Sequence, residues 1–166
     1  MVKCIDHSDL KKPIVAAKIG KNKKFDVDNA NVEIRLLKKL QEGTGDGKER
    51  VVEFLDSFKF RQHVVIIFEH LHYNLYRYMK CNKNLSQVFE FSHLTSICLQ
   101  MVQGLKYLKD QKIIHCDMKP ENVIFKDETY KEVKIIDFGA SCQDCTTGFF
   151  YVQSRYYRAP EIVLGI

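Results

Sequence analysis

The sequence predicts an α+β fold in two unequal parts: a small antiparallel sheet carrying one helix and, beyond a tight hinge, a mainly helical lower part. Three observations lead there. Short β-prone runs bounded by polar turns fill the first 68 residues, a single helical stripe interrupts them, and after Tyr73 the apolar spacing changes to threes and fours. No internal repeat, low-complexity stretch or flexible linker separates the parts, so a boundary near residues 69–73 is a hinge within one unit.

Val2 to Ile5 and Ile14 to Ile19 are β-prone, and the polar stretch from Asp6 to Pro13 between them reads as a hairpin connection. From Asp28 to Leu40, Val32, Leu36 and Leu40 recur at helical spacing, broadened by Ile34 and Leu37, until the glycines from Gly43 to Gly47 stop the helix. Val51 to Phe60 and His63 to Phe68 form a second strand pair around Arg61-Gln62. A short helix is expected near Asn74 to Lys80. A long one then runs through Leu94, Ile97, Cys98, Met101, Leu105 and Leu108, a stripe read as core. Ile113-Ile114, Val123 to Phe125 and Val133 to Ile136 are too short for helices and stand between charged loops.

With 166 residues and 45% hydrophobic content the chain can bury a sizeable core. Its net charge of +5 arises from 26 basic residues mixed with 21 acidic ones, the pattern of a solvated surface rather than a nucleic-acid patch. No apolar run approaches the ~18 residues of a membrane span, and the N-terminus lacks the order of a secretory signal. An intracellular protein of cytoplasm or nucleus is expected, with no membrane or nucleic-acid partner. Its six cysteines are expected as free thiols, several of them buried.

Three tempting motifs fail on spacing. The Gly43 to Lys48 run lacks both the P-loop interval and the Ser or Thr after lysine, since Glu49 follows Lys48. Cys142 and Cys145 form a CxxC with no second pair at ligand spacing. His70 and His72 have no evident third ligand.

The informative stretch is His115-Cys116-Asp117-Met118-Lys119-Pro120-Glu121-Asn122, then Asp137-Phe138-Gly139, closed by Ala159-Pro160-Glu161. In order and separation it resembles the catalytic loop, magnesium motif and closing motif of protein kinases. Upstream, Val15-Ala16-Ala17-Lys18 and the helical Glu33 resemble the third strand and its ion-pair partner. Cys116 in the catalytic loop, Asn74-Leu75-Tyr76, and the run from Tyr151 through Gln153-Ser154-Arg155 to Arg158-Ala159-Pro160-Glu161 resemble the DYRK kinases, the dual-specificity tyrosine-regulated branch. The HIPK kinases are the second resemblance.

The resemblance implies an incomplete, protein-kinase-like bilobal fold: residues 1–68 as a partial upper lobe, 69–72 as hinge, and 73–166 as the first part of the lower lobe. It implies a protein serine/threonine kinase that uses ATP and Mg²⁺, often acts before proline, and autophosphorylates a tyrosine. Phosphoryl transfer rests on positioning and electrostatics. Asp117 would orient the acceptor hydroxyl, Lys119 would offset charge on the γ-phosphate, and Asn122 and Asp137 would hold the metal. Lys18, aimed by Glu33, would meet the α- and β-phosphates. Phe68 would be the gatekeeper, with backbone groups of Glu69 and Leu71 on the adenine edge. Tyr151 would be the regulatory phosphosite and Arg155 and Arg158 its cations, because Cys116 replaces the usual arginine. Arg77 departs from the acidic residue common beside the ribose.

By the same resemblance, Met1 to Asp6 matches the strand after a glycine-rich phosphate loop, and the chain stops after the activation segment. Two readings follow: a piece of an active kinase, or a short kinase-like binding module. The 166 residues alone are expected to show little kinase activity.

Overall fold

The computed structural model describes residues 1–7, 13–81, 90–143 and 152–165. Val2–Ile5 (β1) and Ile14–Ile19 (β2) pair antiparallel, with Val2 opposite Ala17 and Ile5 opposite Ile14. Phe54–Phe60 (β3) and His63–Glu69 (β4) form the second hairpin, turned by Arg61 and Gln62, both at positive φ as a two-residue hairpin loop with matched twist requires. The sheet order is β1-β2-β4-β3. β4 is thus an inner strand, and its Val64, Val65, Ile66 and Phe68 are buried.

Lys24–Glu42 (α1) begins four residues before the expected start at Asp28. Lys23 precedes it with no side-chain cap, so no residue type marks that end. Leu36, Leu37 and Leu40 turn inward and meet β4 in one apolar core. The glycine run after α1 serves close packing: a Cβ on Gly43 would lie 2.5 Å from the Tyr107 hydroxyl oxygen, and one on Gly47 2.3 Å from the Gln103 carbonyl oxygen. Tyr107 in turn donates to the Leu40 carbonyl at 2.5 Å.

Val51 and Val52, expected within β3, leave that sheet. They follow a 3₁₀ turn at Lys48–Arg50, and Val52 N–H donates to the Ile135 carbonyl at 3.0 Å, joining the upper part to the lower.

After β4 come Leu75–Cys81 (α2) and Phe91–Asp110 (α3). The buried face of α3 is Ile97, Gln100, Gly104, Tyr107 and Leu108, with Met101 half-buried. The expected stripe is therefore corrected: Leu94, Cys98 and Leu105 are exposed. The helix instead packs its Gly104 face onto the second lower strand, where a Cβ would come within 2.9 Å of Ile135. Ile113–Ile114 (β5) pairs with Cys142–Gln143 (β8), and Val123–Phe125 (β6) pairs with Val133–Ile135 (β7). Pro160–Leu164 (α4) closes the described chain. Neither β8 nor α4 carries a periodic signal long enough to foresee.

No cysteine among the described residues is buried, a correction to the expected buried thiols; Cys81 and Cys98 are exposed, and Cys4, Cys116 and Cys142 are intermediate. Cys145 lies outside the described residues.

Candidate active site

Two clusters of charge face one another where β2, α1 and β4 meet the loops after β5 and β7. The upper one begins with alternation in β2: Val15 and Ala17 turn into the core, and Lys18 faces the other way. Its ammonium donates to both carboxylate oxygens of Glu33, at 2.7 and 3.0 Å, and to Asp137 Oδ1 at 2.8 Å. Burial alone would lower the Lys18 pKa, but the charges of Glu33 and Asp137 outweigh it and raise it. Burial pushes the Glu33 carboxyl up while Lys18 opposes it. With Glu33 only 4% exposed and bound through both oxygens, Lys18 is what makes a charge tenable there.

The lower cluster centres on Asp117. Cys116 before it takes a left-handed φ of 62°, as does Asp137 at 65°. Such non-glycine geometry costs about 1–3 kcal/mol and persists only where surrounding structure enforces it. The enforcement is visible. His115 Nδ1 accepts from Asp117 N–H at 3.2 Å, so its Nε2–H donates to the Ile136 carbonyl at 2.9 Å. Ser141 donates to the His115 carbonyl, and Ile136 N–H to the Asn122 carbonyl. One buried imidazole thus ties the loop after β5 to the strand end that presents Asp137.

Asp117 Oδ2 accepts from Lys119 at 2.6 Å and Asn122 Nδ2 at 3.2 Å; Oδ1 accepts from the Ser154 hydroxyl at 2.7 Å and its N–H at 3.1 Å. Lys119 also donates to Ser154 Oγ at 2.8 Å. Burial would raise the Asp117 carboxyl, but the bonds from Lys119 and Ser154 hold it below its ordinary value. Lys119 is held protonated above its own, chiefly by the Asp117 hydrogen bond. Asp137 is likewise depressed, Lys18 outweighing burial.

Beside the upper cluster lies a cavity of about 360 Å³, lined by Ala16, Lys18, Glu33, Phe68, Leu71, Ile124, Ile136 and Asp137 among others, with Asp117, Lys119 and Asn122 outside its lining. A second cavity of equal volume, behind β4, is lined by Leu40, Val51, Lys48 and Tyr107 and contains no residue of either cluster. Phe68 is buried at the end of the first cavity's strand wall. Glu69 N–H is bonded to the Glu53 carbonyl at 3.2 Å, and its carboxylate turns to Lys134. Among the described residues no backbone hydrogen bond uses Leu71 N–H or C=O, which leaves one donor and one acceptor beside the cavity.

The sites read from sequence therefore come together in part. Lys18, Glu33 and Asp137 share one ion-pair network, and Asp117, Lys119 and Asn122 share another. Asn122 commits Nδ2 to the Asp117 carbonyl at 2.8 Å, directing its amide oxygen elsewhere. Arg158 donates to the carbonyls of Val152 and Gln153, while Arg155 is exposed. Tyr151 lies outside the described residues. Arg77 sits 4.1 Å over the Tyr73 ring and is not among the cavity's lining residues. His72 spends Nε2 on the Tyr130 hydroxyl at 2.9 Å. No group of three His, Cys, Asp or Glu at metal distance occurs among the described residues, and no helix there is long and apolar enough to cross a membrane. Sequence reasoning missed Ser154, 37 residues from the Asp117 it binds. Only its place in the Gln-Ser-Arg run hinted at it.

Comparison with known proteins gives one consistent result. Residues 1–165 match the protein kinase domain family. The chain is 39% identical over its whole length to dual specificity tyrosine-phosphorylation-regulated kinase 2 of Drosophila melanogaster, of which it covers 22%. It is 41% identical over 99% of its length to kinase 4 of that name from Homo sapiens, covering 31% of it, and 40% identical to kinase mbk-2 of Caenorhabditis elegans, covering 20%. A crystal structure of the kinase domain of PF14_0431 superposes with a TM-score of 0.88 at 25% identity, over 98% of this chain and 53% of that one. The chain thus spans between a fifth and a third of the length of these curated relatives.

Proposed function

The chain belongs to the protein kinase family, and on that premise we propose that the whole protein transfers the γ-phosphoryl group of ATP to serine or threonine hydroxyls of protein substrates, many of them before proline. The likeness to dual-specificity kinases supports autophosphorylation on tyrosine as well, with Tyr151 the acceptor. The observation that carries the reading is the doubled network: Lys18 bound by Glu33 and Asp137 in the wall of the cavity, and Asp117 bound by Lys119 and Ser154 in the loop after β5.

Each residue then has a defined task. Lys18, kept cationic by two carboxylates, offers its charge to the α- and β-phosphates, and Glu33 fixes where that charge stands. The open N–H and carbonyl of Leu71, with the carbonyl of Glu69, meet the adenine edge, and Phe68 closes the space behind it. Asp117 orients the acceptor hydroxyl. Because Lys119 and Ser154 hold its carboxyl ionised, it takes the proton late, as bond formation to phosphorus makes that proton acidic. Lys119 stands where charge grows on the transferred group.

The donor set fits a hard divalent cation: an amide oxygen of Asn122 and the second carboxylate oxygen of Asp137, Mg²⁺ being completed by water and phosphate rather than by a protein cage. Bound there, Mg²⁺ would neutralise phosphate charge. Arg155 and Arg158 are the cations nearest in sequence to Tyr151 for a phosphate to recruit.

The test is turnover of a Ser-Pro peptide by the whole protein, with Asp117→Asn beside it. Loss of about 10³-fold or more supports the reading. Mass spectrometry of the same preparation checks Tyr151, and active enzyme unmodified there would remove it as the phosphosite.

A further inference from the structure

On the side of the cavity away from Lys18, the carboxylate of Glu69 joins three pieces of chain. Glu69 ends β4, two residues before Leu71. Its Oε1 accepts from Lys134 Nζ at 2.5 Å and from Glu53 N–H at 2.7 Å, and its own N–H donates to the Glu53 carbonyl at 3.2 Å. Lys134 is the middle residue of β7, whose Val133 and Ile135 turn into the core, so alternation sends the lysine to the opposite face, toward the hinge. The side chains of Lys134 and Glu69 are 12% and 18% exposed, well outside the regime in which water screens an ion pair to nothing.

Placement gives this pair its meaning. β7 runs directly into Ile136 and Asp137, while Glu69 leads directly into Leu71. The pair therefore ties the segment that borders the cavity above to the strand that delivers Asp137 below. The other links near it from one part to the other are backbone bonds, from Val52 to Ile135, from His72 to Phe125 and from Phe125 to Tyr73. None of these is made by residues 69–71, of which Glu69 is paired through its backbone only within the upper sheet and with Glu53.

We infer that Lys134 is a positioning residue for nucleotide binding, acting through Glu69 to fix the backbone of residues 69–71 against the adenine ring. This rests on the kinase reading above. Backbone donors and acceptors recognise an adenine edge only near 2.9 Å, so a hinge released by a fraction of an ångström loses adenine affinity first. The side chains of Lys18, Lys119 and Asp137 bond to other partners than Lys134 and Glu69, so their charges stay in place.

The experiment compares the whole protein with its Lys134→Met, Lys134→Arg and Glu69→Gln variants. Adenosine binding is measured by calorimetry, and KM for ATP and kcat at saturating ATP are measured on a peptide. Lys134→Met is expected to weaken adenosine and raise KM in parallel, each roughly tenfold, with kcat within about twofold, the loss of one charged hydrogen bond. Lys134→Arg should restore most of the affinity. Glu69→Gln, which keeps an oxygen for Glu53 N–H, should reproduce the split even if the methionine variant folds poorly. Wild-type protein that turns over ATP beside variants with unchanged adenosine affinity would overturn the inference alone, as would a kcat that falls as far as affinity. Wild-type protein that neither binds adenosine nor turns over ATP would overturn the kinase reading and this inference with it.

Discussion

Ser154 donates its hydroxyl hydrogen to Asp117 at 2.7 Å, from a segment 37 residues downstream, and the Ser154 N–H reaches the same oxygen. The carboxylate that would orient an acceptor is thereby held by the Gln153-Ser154-Arg155 run. Ser154→Ala removes one charge-assisted bond worth about 1.5–3 kcal/mol. Turnover should fall roughly 10–100-fold with KM for ATP little changed, as steady-state kinetics on a peptide would show.

Glu33→Gln tests the Lys18 cluster. The amide keeps the shape but withdraws the charge beside Lys18, leaving Asp137 as the ammonium's remaining carboxylate. Because the glutamate is buried, the pair is more than a surface ion pair, and kcat/KM should drop about tenfold or more. Unchanged kcat/KM would show that Lys18 is aimed by something else.

How far the sequence revealed this arrangement varied with distance along the chain. Asp117, Lys119 and Asn122 lie within six residues, so their chemistry is readable as a motif. Lys18 and Glu33 are legible only through their resemblance to the kinase third strand and its ion-pair partner, since alone each reads as an ordinary surface charge. Ser154 and Lys134 are not, because their partners are set by tertiary folding and no local pattern marks them. In the fold the same limit applies: the α3 stripe misplaced Leu94 and Leu105 because Gly104, the residue that packs closest to β7, adds nothing to an apolar count. Val51 and Val52 read as strand because β-branched runs do, yet the turn at Lys48–Arg50 hands them to the lower hairpin.

Acid should loosen the catalytic loop through His115. Burial lowers its pKa below the ordinary 6.5. The unfolded chain therefore binds the proton more readily, so this group's contribution to stability is complete above about pH 6.5 and is lost as pH falls through the lower folded value. A proton on Nδ1 would also face Asp117 N–H. Denaturant melts from pH 7.5 to 5 should show falling stability, with the slope reduced in His115→Gln.

Gly47→Ala should destabilise by about 3 kcal/mol, combining overpacking with left-handed strain. The added Cβ would lie 2.3 Å from the Gln103 carbonyl oxygen, on a backbone at φ 90°. Urea denaturation measures it, and a loss below ~0.5 kcal/mol would mean the turn can move off α3.

The most direct test is transfer of labelled γ-phosphate from ATP to a Ser-Pro peptide by the whole protein, wild type against Asp137→Asn. The substitution withdraws the charge that meets Lys18 at 2.8 Å and that would hold the metal. Measurable transfer by the wild type and a loss of about 10³-fold or more in the variant are the predicted result. Equal turnover by the two proteins would contradict the assignment of this site to phosphoryl transfer.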